Sequence, residues 1–390
     1  MSPKGPGSPA ALRRANLARL VETLTEAGGH ATQAELARRS GLSPASITNL
    51  VRQLQAAGRV RIAEQLYQGR RCRVVTLGAA DGLVFGLDLG RTHMRAGLGT
   101  LDHQLVIDEF RPMTAVKSAE EGLKECADLF DQLLKRAGAE RSSIRAAVAG
   151  VPGPLSLRTG EIGAGAVLPE WTGINLQAAF SQALGLPVTV ENDANLGALG
   201  EFTWASPVET EAPLVYVRLS TGIGCGILVG GRQVLRGAAG TAGELGHISL
   251  DASGRLCRCG NRGCVETTAS TPALLENLSA AMERPVTLDE WLALALEGHH
   301  ASLRLLEDFG RNIGAAIGSL VNLLSPAAVV LGGPVTEAGE LMLAPVRETI
   351  TRRSMPAPGS AVEVRLARHP GLTELHGALA MAADSAACLQ

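Results

Sequence analysis

Aromatic residues are scarce: three Trp, two Tyr and six Phe make up 3% of the 390 residues. An interior built around stacked rings is excluded, and Ala, Leu and Val must form the core. No run of about 18 apolar residues occurs, so no segment reads as a membrane-spanning helix. The first ten residues lack the apolar stretch of a secretory signal; they read as a flexible tail, and the cytoplasm is the expected location. Cysteines number only seven, and three of them fall between positions 257 and 264. That clustering speaks against a disulfide framework and for metal ligands in a reducing compartment.

Hydrophobic residues make up 46% of the chain and charged residues 19%, enough apolar material to exclude disorder as the main state. At roughly 100–200 residues per domain, the length suggests two or three domains. A net charge of −2 conceals an asymmetry. Residues 1–80 carry 12 Lys and Arg against four Glu, net +8, and the remainder carries 24 basic against 34 acidic residues, net −10. A small basic head on an acidic body suits a module that binds a polyanion.

The head reads as a winged helix-turn-helix over residues 11–79. Leu17, Leu20, Val21 and Leu24 share one face of a first helix that stops before Gly28-Gly29. Thr32 and Glu35 form a capping-box pattern for a short second helix ending at Gly41. Ser43-Pro44 opens a third helix with Ile47, Leu50, Val51 and Leu54 on its inner face. Ser43, Ala45, Ser46, Thr48, Asn49 and Arg52 then lie at its start or on its outer face, where small polar side chains approach base edges and Arg52 reaches phosphate or guanine. Arg59–Ile62 and Arg73–Leu77 read as a hairpin with Gly69-Arg70-Arg71 as a basic tip. A three-helix packing or dimerisation unit has the same periodicity. The +8 balance and the absence of acidic residues between Glu35 and Glu64 favour DNA.

The body, residues 80–390, alternates strand, polar loop and helix, the α/β pattern in which ligands bind at the carboxyl ends of strands. Leu83–Leu89 runs into Gly90-Arg91-Thr92; Ser118-x-x-Glu121 caps a helix; Ile144–Ala149 is the next strand. Val188–Val190 leads to Glu191-Asn192-Asp193, and Leu214–Leu219 to Ser220-Thr221-Gly222. A long helix from Leu303 to about Leu324 precedes Ala328–Leu331 and Gly332-Gly333-Pro334. Within the stretch 243–266, His247, Cys257, Cys259 and Cys264 offer one imidazole and three thiolates, a full tetrahedral zinc set with no open position, hence a structural metal. The competing readings are unligated thiols or a redox cluster.

These motifs resemble a known family. A strand ending in Asp88-x-Gly90-x-Thr92, the central Asn192-Asp193-Ala194, Ser220-Thr221-Gly222 and Leu331-Gly332-Gly333 resemble the two-lobed actin-like, hexokinase-like ATPase fold. Gly243-Glu244-Leu245-Gly246-His247 with Cys257-x-Cys259-Gly260-x-x-Gly263-Cys264-x-Glu266 is similar to the signature of the ROK family of repressors, open reading frames and kinases. The match runs from about residue 12 to near the C-terminus and includes a helix-turn-helix head of the kind family repressors carry. The resemblance implies lobe one at about 80–194 plus a C-terminal helix at about 374–390, and lobe two at about 195–373. It further implies that Asn192, Asp193, Glu244, His247 and Glu266 contact sugar hydroxyls, and that Asp193 is the general base if the protein is a kinase. His247 would share its two nitrogens between zinc and sugar.

Departures weigh against ATP and Mg2+ as cofactors. Arg91 stands where kinases have glycine, Ser220 and Cys225 replace glycines of the second loop, and Pro334 removes an amide beside Gly332 and Gly333. Asp88, Gly90, Thr92, Thr221 and Gly222 persist, so the erosion is partial. Val167, where related sugar binders place Asn, leaves the sugar's identity open. The expectation is a sugar-responsive DNA-binding regulator, a repressor of carbohydrate metabolism acting as a homodimer or dimer of dimers on operator DNA, with a monosaccharide effector. The alternative is an ATP-dependent hexose kinase that retains a DNA-binding head.

Overall fold

The computed structural model describes residues 16–17, 19–21, 23–24, 27, 30–56, 60–67, 70–77, 82–113, 118–156, 158–163, 168–204, 211–356 and 362–387. The expected tail 1–10, Gly69, Val167 and Cys388 lie outside them.

In the head, helical residues between 16 and 24 precede β1 (His30–Thr32), α1 (Gln33–Ser40), α2 (Pro44–Ala56), β2 (Val60–Tyr67) and β3 (Arg70–Leu77). Thr32 Oγ1 accepts from the Glu35 amide at 3.2 Å, while Glu35 pairs with Arg39 at 2.8 Å. Gly41 closes α1 in a left-handed conformation, φ 69°. The hairpin is longer than its sequence pattern suggests, and β1 joins it to give the order β1-β3-β2. Leu20, Leu24, Leu36, Ile47, Val51 and Val75 form a core of their own.

The body continues with β4 (Leu83–Leu89), β5 (His93–Thr100), β6 (Leu105–Pro112), α3 (Ala119–Ala137), β7 (Ile144–Val151), α4 (Leu176–Leu184), β8 (Val188–Asn192) and α5 (Asp193–Trp204). The second half holds β9 (Leu214–Leu219), β10 (Ile223–Val229), β11 (Gln233–Val234), α6 (Glu266–Ala269), α7 (Thr271–Ala281), α8 (Leu288–Leu296), α9 (His300–Leu324), β12 (Ala328–Gly332), α10 (Glu340–Arg353), β13 (Glu363–Leu366) and α11 (Thr373–Ala387). The sheets read β6-β5-β4-β7-β8 and β11-β10-β9-β12-β13. Each has three antiparallel strands followed by two parallel ones, so one topology occurs twice.

Two helices lie between the sheets. α11 packs on β4 and β7, α5 packs on β9 and β10, and the two pack on each other. Their crossing is close because it is lined by glycine: a Cβ at Gly377 would fall 1.8 Å from the Leu196 carbonyl oxygen, and one at Gly200 would fall 2.1 Å from that of Thr373. The carboxyl ends of β4, β8 and β9 converge where this helix pair begins, and there the site forms.

Candidate functional site

A cleft opens between the sheets. Asn192, Asp193, Glu244, His247 and Glu266 all line it, together with Gly90, Arg91, Thr221 and Gly222. Residues from 90 to 266 are therefore brought to one surface.

Asn192 and Asp193 sit at the junction of β8 and α5. Asn192 Oδ1 accepts from the amides of Ala194 (2.9 Å) and Asn195 (3.1 Å), which caps α5, and its Nδ2 donates to the Gly153 carbonyl at 3.1 Å. Asp193 is buried. Its Oδ1 accepts from the Ala194 amide at 2.8 Å and its Oδ2 from Arg218 Nη1 at 2.9 Å. Glu266 accepts from the Ile223 amide (3.0 Å) and from Arg258 (2.8 Å). Glu244 lies 3.8 Å from His247 Nε2. Burial pushes the Glu244 carboxyl up to about 7, with the charges of Glu266 and Asp193 adding to the rise and Arg258 opposing it.

Arg218, on β9, is the centre of charge in the cleft. Its Nη1 lies 3.0 Å from Asp88 Oδ1 and 2.9 Å from Asp193 Oδ2, its Nη2 3.4 Å from Asp88 Oδ2, and its Nε 3.5 Å from Glu374 at the start of α11. His93 Nε2 approaches Asp88 Oδ2 at 2.9 Å. An ionised carboxylate only accepts, so Nε2 carries the hydrogen, and the 3.3 Å approach of Arg218 Nη2 to the same nitrogen is a contact between donors. Burial favours a neutral Asp88, but Arg218 and His93 outweigh it and hold the carboxyl well below the usual range. Burial pushes Asp193 up to about 6; Arg218 opposes this, and the charges of Asp88 and Glu374 support it. Tyr216 donates to Glu374 at 2.8 Å. A second clasp joins the halves where Arg236 pairs with the buried Glu191 of β8 at 2.6 Å.

Of the remaining loop residues, Thr92 is exposed beside Arg91. Gly332 pairs in register with Arg218, and Gly333 has φ 97° with Leu219 directly against it; neither lines the cleft. Arg218, Arg258 and Glu374 escape a motif reading. A signal existed for the first: an Arg alone in the buried apolar run Leu214–Leu219 must have partners.

Beside the cleft, His247 Nδ1 and the sulfurs of Cys257, Cys259 and Cys264 lie within 4.8 Å of one another, a donor group suited to a metal ion. Nδ1 faces Cys257 Sγ at 3.6 Å, while Nε2 turns toward Glu244. Gly263, at φ 63°, lets the loop close: a Cβ there would fall 1.7 Å from the Asp251 carbonyl oxygen.

On α2, Ser43, Ala45, Thr48, Asn49 and Arg52 are exposed and Ser46 is half-buried, opposite Ile47, Leu50, Val51 and Leu54. Ser43 Oγ accepts from the Ser46 amide at 3.2 Å and so serves as the cap. Arg70 and Arg71 open β3; their side chains lie outside the described residues.

Both head and body are similar to known proteins. Residues 84–385 match the ROK family, and residues 15–61 match a winged helix-turn-helix DNA-binding domain. The chain is 28% identical to the xylose repressor of Caldicellulosiruptor bescii over 357 residues, 87% of this chain and 88% of that one. A ROK hexokinase from Thermus thermophilus is 33% identical, with TM-score 0.65 over 78% of this chain and 99% of its own. A ROK family transcriptional regulator, a homologue of the Escherichia coli Mlc protein, is 24% identical and superposes with TM-score 0.67 over 96% of each chain, a likeness of fold that spans head and body.

Proposed function

The chain belongs to the ROK family, and we propose that it is a sugar-responsive DNA-binding transcriptional regulator, a repressor of carbohydrate-metabolism genes. The observation that carries this reading is the union in one chain of two surfaces: an exposed polar helix face on a winged helix-turn-helix, and a cleft that gathers Asn192, Asp193, Glu244, His247 and Glu266. Relatives named xylose repressor and Mlc support it.

In this reading residues 11–79 bind operator DNA and residues 80–390 bind a monosaccharide. The α2 face of Ser43, Ala45, Ser46, Thr48, Asn49 and Arg52 enters the major groove, with Arg70 and Arg71 on the wing. A homodimer sets two such helices one DNA turn apart. In the cleft, carboxylates, an amide and an imidazole bracket vicinal hydroxyls, which are donor–acceptor pairs. The residues beside the cleft fit zinc: a tetrahedron with metal–sulfur bonds of about 2.3 Å has edges of about 3.8 Å, and the Cys259–Cys264 sulfurs stand 3.7 Å apart. Bound there, the ion supplies a fixed fold to the loop and no open coordination position. His247 Nδ1 faces that donor set while its Nε2 faces Glu244, so one ring orients both the metal loop and the sugar site. A thiolate-rich site of this kind belongs in a reducing cytoplasm.

Sugar releases DNA only by binding the DNA-free arrangement more tightly, so the effector must prefer one placement of the two halves. The test is fluorescence anisotropy on an operator fragment selected from genomic DNA, titrated with xylose, glucose and other monosaccharides. The expected result is one sugar that shifts DNA affinity and loses its effect in Asp193→Asn. DNA affinity indifferent to every sugar would overturn the proposal.

A further inference from the structure

We infer that Arg218 is a specificity-determining internal cation: it fills the gap between Asp88 and Asp193 where a phosphoryl-transfer site would gather a divalent metal and nucleotide phosphates, so the cleft accepts an uncharged sugar and excludes Mg-nucleotide. Phosphoryl transfer depends on metal and positive charge placed against the transferring group. Here that charge is part of the chain. A single nitrogen, Nη1, stands 3.0 Å from Asp88 and 2.9 Å from Asp193. A Mg2+ ion bound to both carboxylates at about 2.1 Å would occupy the same space and meet a fixed like charge. The guanidinium cannot swing away without cost, because Glu374 holds Nε and all four side chains are buried.

The surroundings agree. His93 takes the remaining face of Asp88 at 2.9 Å. Each oxygen of Asp193 accepts one hydrogen bond, from the Ala194 amide and from Arg218, which fixes the carboxylate's position beside the guanidinium. Arg91 stands exposed at the mouth of the same cleft, with a side chain where close backbone approach to phosphate calls for glycine. Glu374 accepts from the Tyr216 hydroxyl at 2.8 Å.

The inference rests on reading the cleft as a sugar site, yet its test is independent of DNA. Full-length wild type, Arg218→Thr and Arg218→Gln are titrated with Mn2+ by electron paramagnetic resonance, and with Mg2+ and a non-hydrolysable ATP analogue by thermal shift. The wild type is expected to bind neither in the cleft. Each folded variant is expected to gain one Mn2+ site, tighter than any wild-type binding by roughly tenfold or more, that disappears when Asp88→Asn is added. Arg218→Lys, which keeps the charge, is expected to behave as the wild type. Folded neutral variants without the Mn2+ site would overturn the inference. So would a wild type that binds the Mg2+-analogue complex, a result that needs no variant to fold. If Arg218→Thr gains the site while DNA binding ignores every sugar, this inference stands and the regulator reading falls.

Discussion

At Asp193 burial and a buried cation act in opposite directions on one carboxyl group. Burial is the stronger and raises it to about 6 from an ordinary 3.8. The folded state therefore holds this proton to higher pH than the unfolded chain does, so protonation favours folding near pH 4 and the contribution is lost as pH rises through 6. Asp88, shifted down, acts only below the ordinary carboxylate range, outside that window. His376, stacked on Trp204 with its rings 4.0 Å apart and lowered by burial to about 3, works the other way: it must charge on unfolding, so it adds stability as pH rises toward its ordinary 6.5. The total curve mixes these, but the difference between wild type and Asp193→Asn isolates one. Urea unfolding at pH 4 and pH 7 is expected to show the Asn variant gaining on the wild type by about 2 kcal/mol across that interval, because the unfolded carboxyl is already partly ionised at pH 4. An unchanged difference would mean that Arg218 holds Asp193 ionised throughout. Asp88 and Asp193 are legible in the sequence because each ends a strand in a loop of recognisable composition. Arg218 is not: its partners lie 130, 25 and about 156 residues away, and only the fold sets those separations to about 3 Å.

Elements obey the same division between what is local and what is long-range. α2 is legible in full, since Ser43 caps it and apolar residues at i, i+3, i+4 and i+7 define its buried face. Its exposed side makes a separable prediction. Arg52→Ala is expected to weaken binding to all DNA sequences and reduce the slope of log affinity against log salt by about one phosphate's worth, whereas Asn49→Ala is expected to narrow the gap between operator and random DNA at unchanged slope. Equal slopes for Arg52→Ala and wild type would remove Arg52 from the phosphate contacts. The cysteine loop is legible too, because Cys-x-Cys and its glycines are contiguous. One zinc per chain by elemental analysis is the expected stoichiometry, with Cys264→Ser losing both the metal and the sugar-induced thermal shift while DNA-binding residues stay folded by circular dichroism. The α5–α11 crossing is hidden from a sequence reading: Gly200 and Gly377 look like ordinary weak points in helices until the opposing carbonyls are placed against them. Gly377→Ala is expected to lower stability by roughly 1–3 kcal/mol as the helices part, read from denaturant midpoints; an unaltered midpoint would show that the crossing yields without cost.

Across the whole molecule, the sensor and the reader occupy different folding units, each with its own core. The recurrence of strand, loop and helix and the family signature point to a two-lobed body, and its doubled sheet order bears out that fold class. Beside the α5–α11 packing, charged contacts reach across the cleft, Arg218 to Asp88 and Glu374, and Arg236 to Glu191, and join segments remote in sequence. The bound sugar would touch Asp193 and Glu244, and Asp193 is held by Arg218. A sugar that draws on Asp193 therefore changes the balance of contacts across the cleft, and the relative placement of the halves is the natural quantity for it to alter. Linkage then fixes a number: the factor by which saturating sugar weakens operator binding must equal the factor by which saturating operator weakens sugar binding. Titrating operator with and without sugar by anisotropy, and sugar with and without operator by calorimetry, is expected to return one factor twice, between about 5 and 150. Charge-neutral variation at Glu191 or Arg236 that leaves both intrinsic affinities alone but moves this factor toward one would place the inter-lobe clasp on the path. Two unequal factors would show that a third species, such as a change of oligomeric state, takes part in the exchange between sugar and DNA.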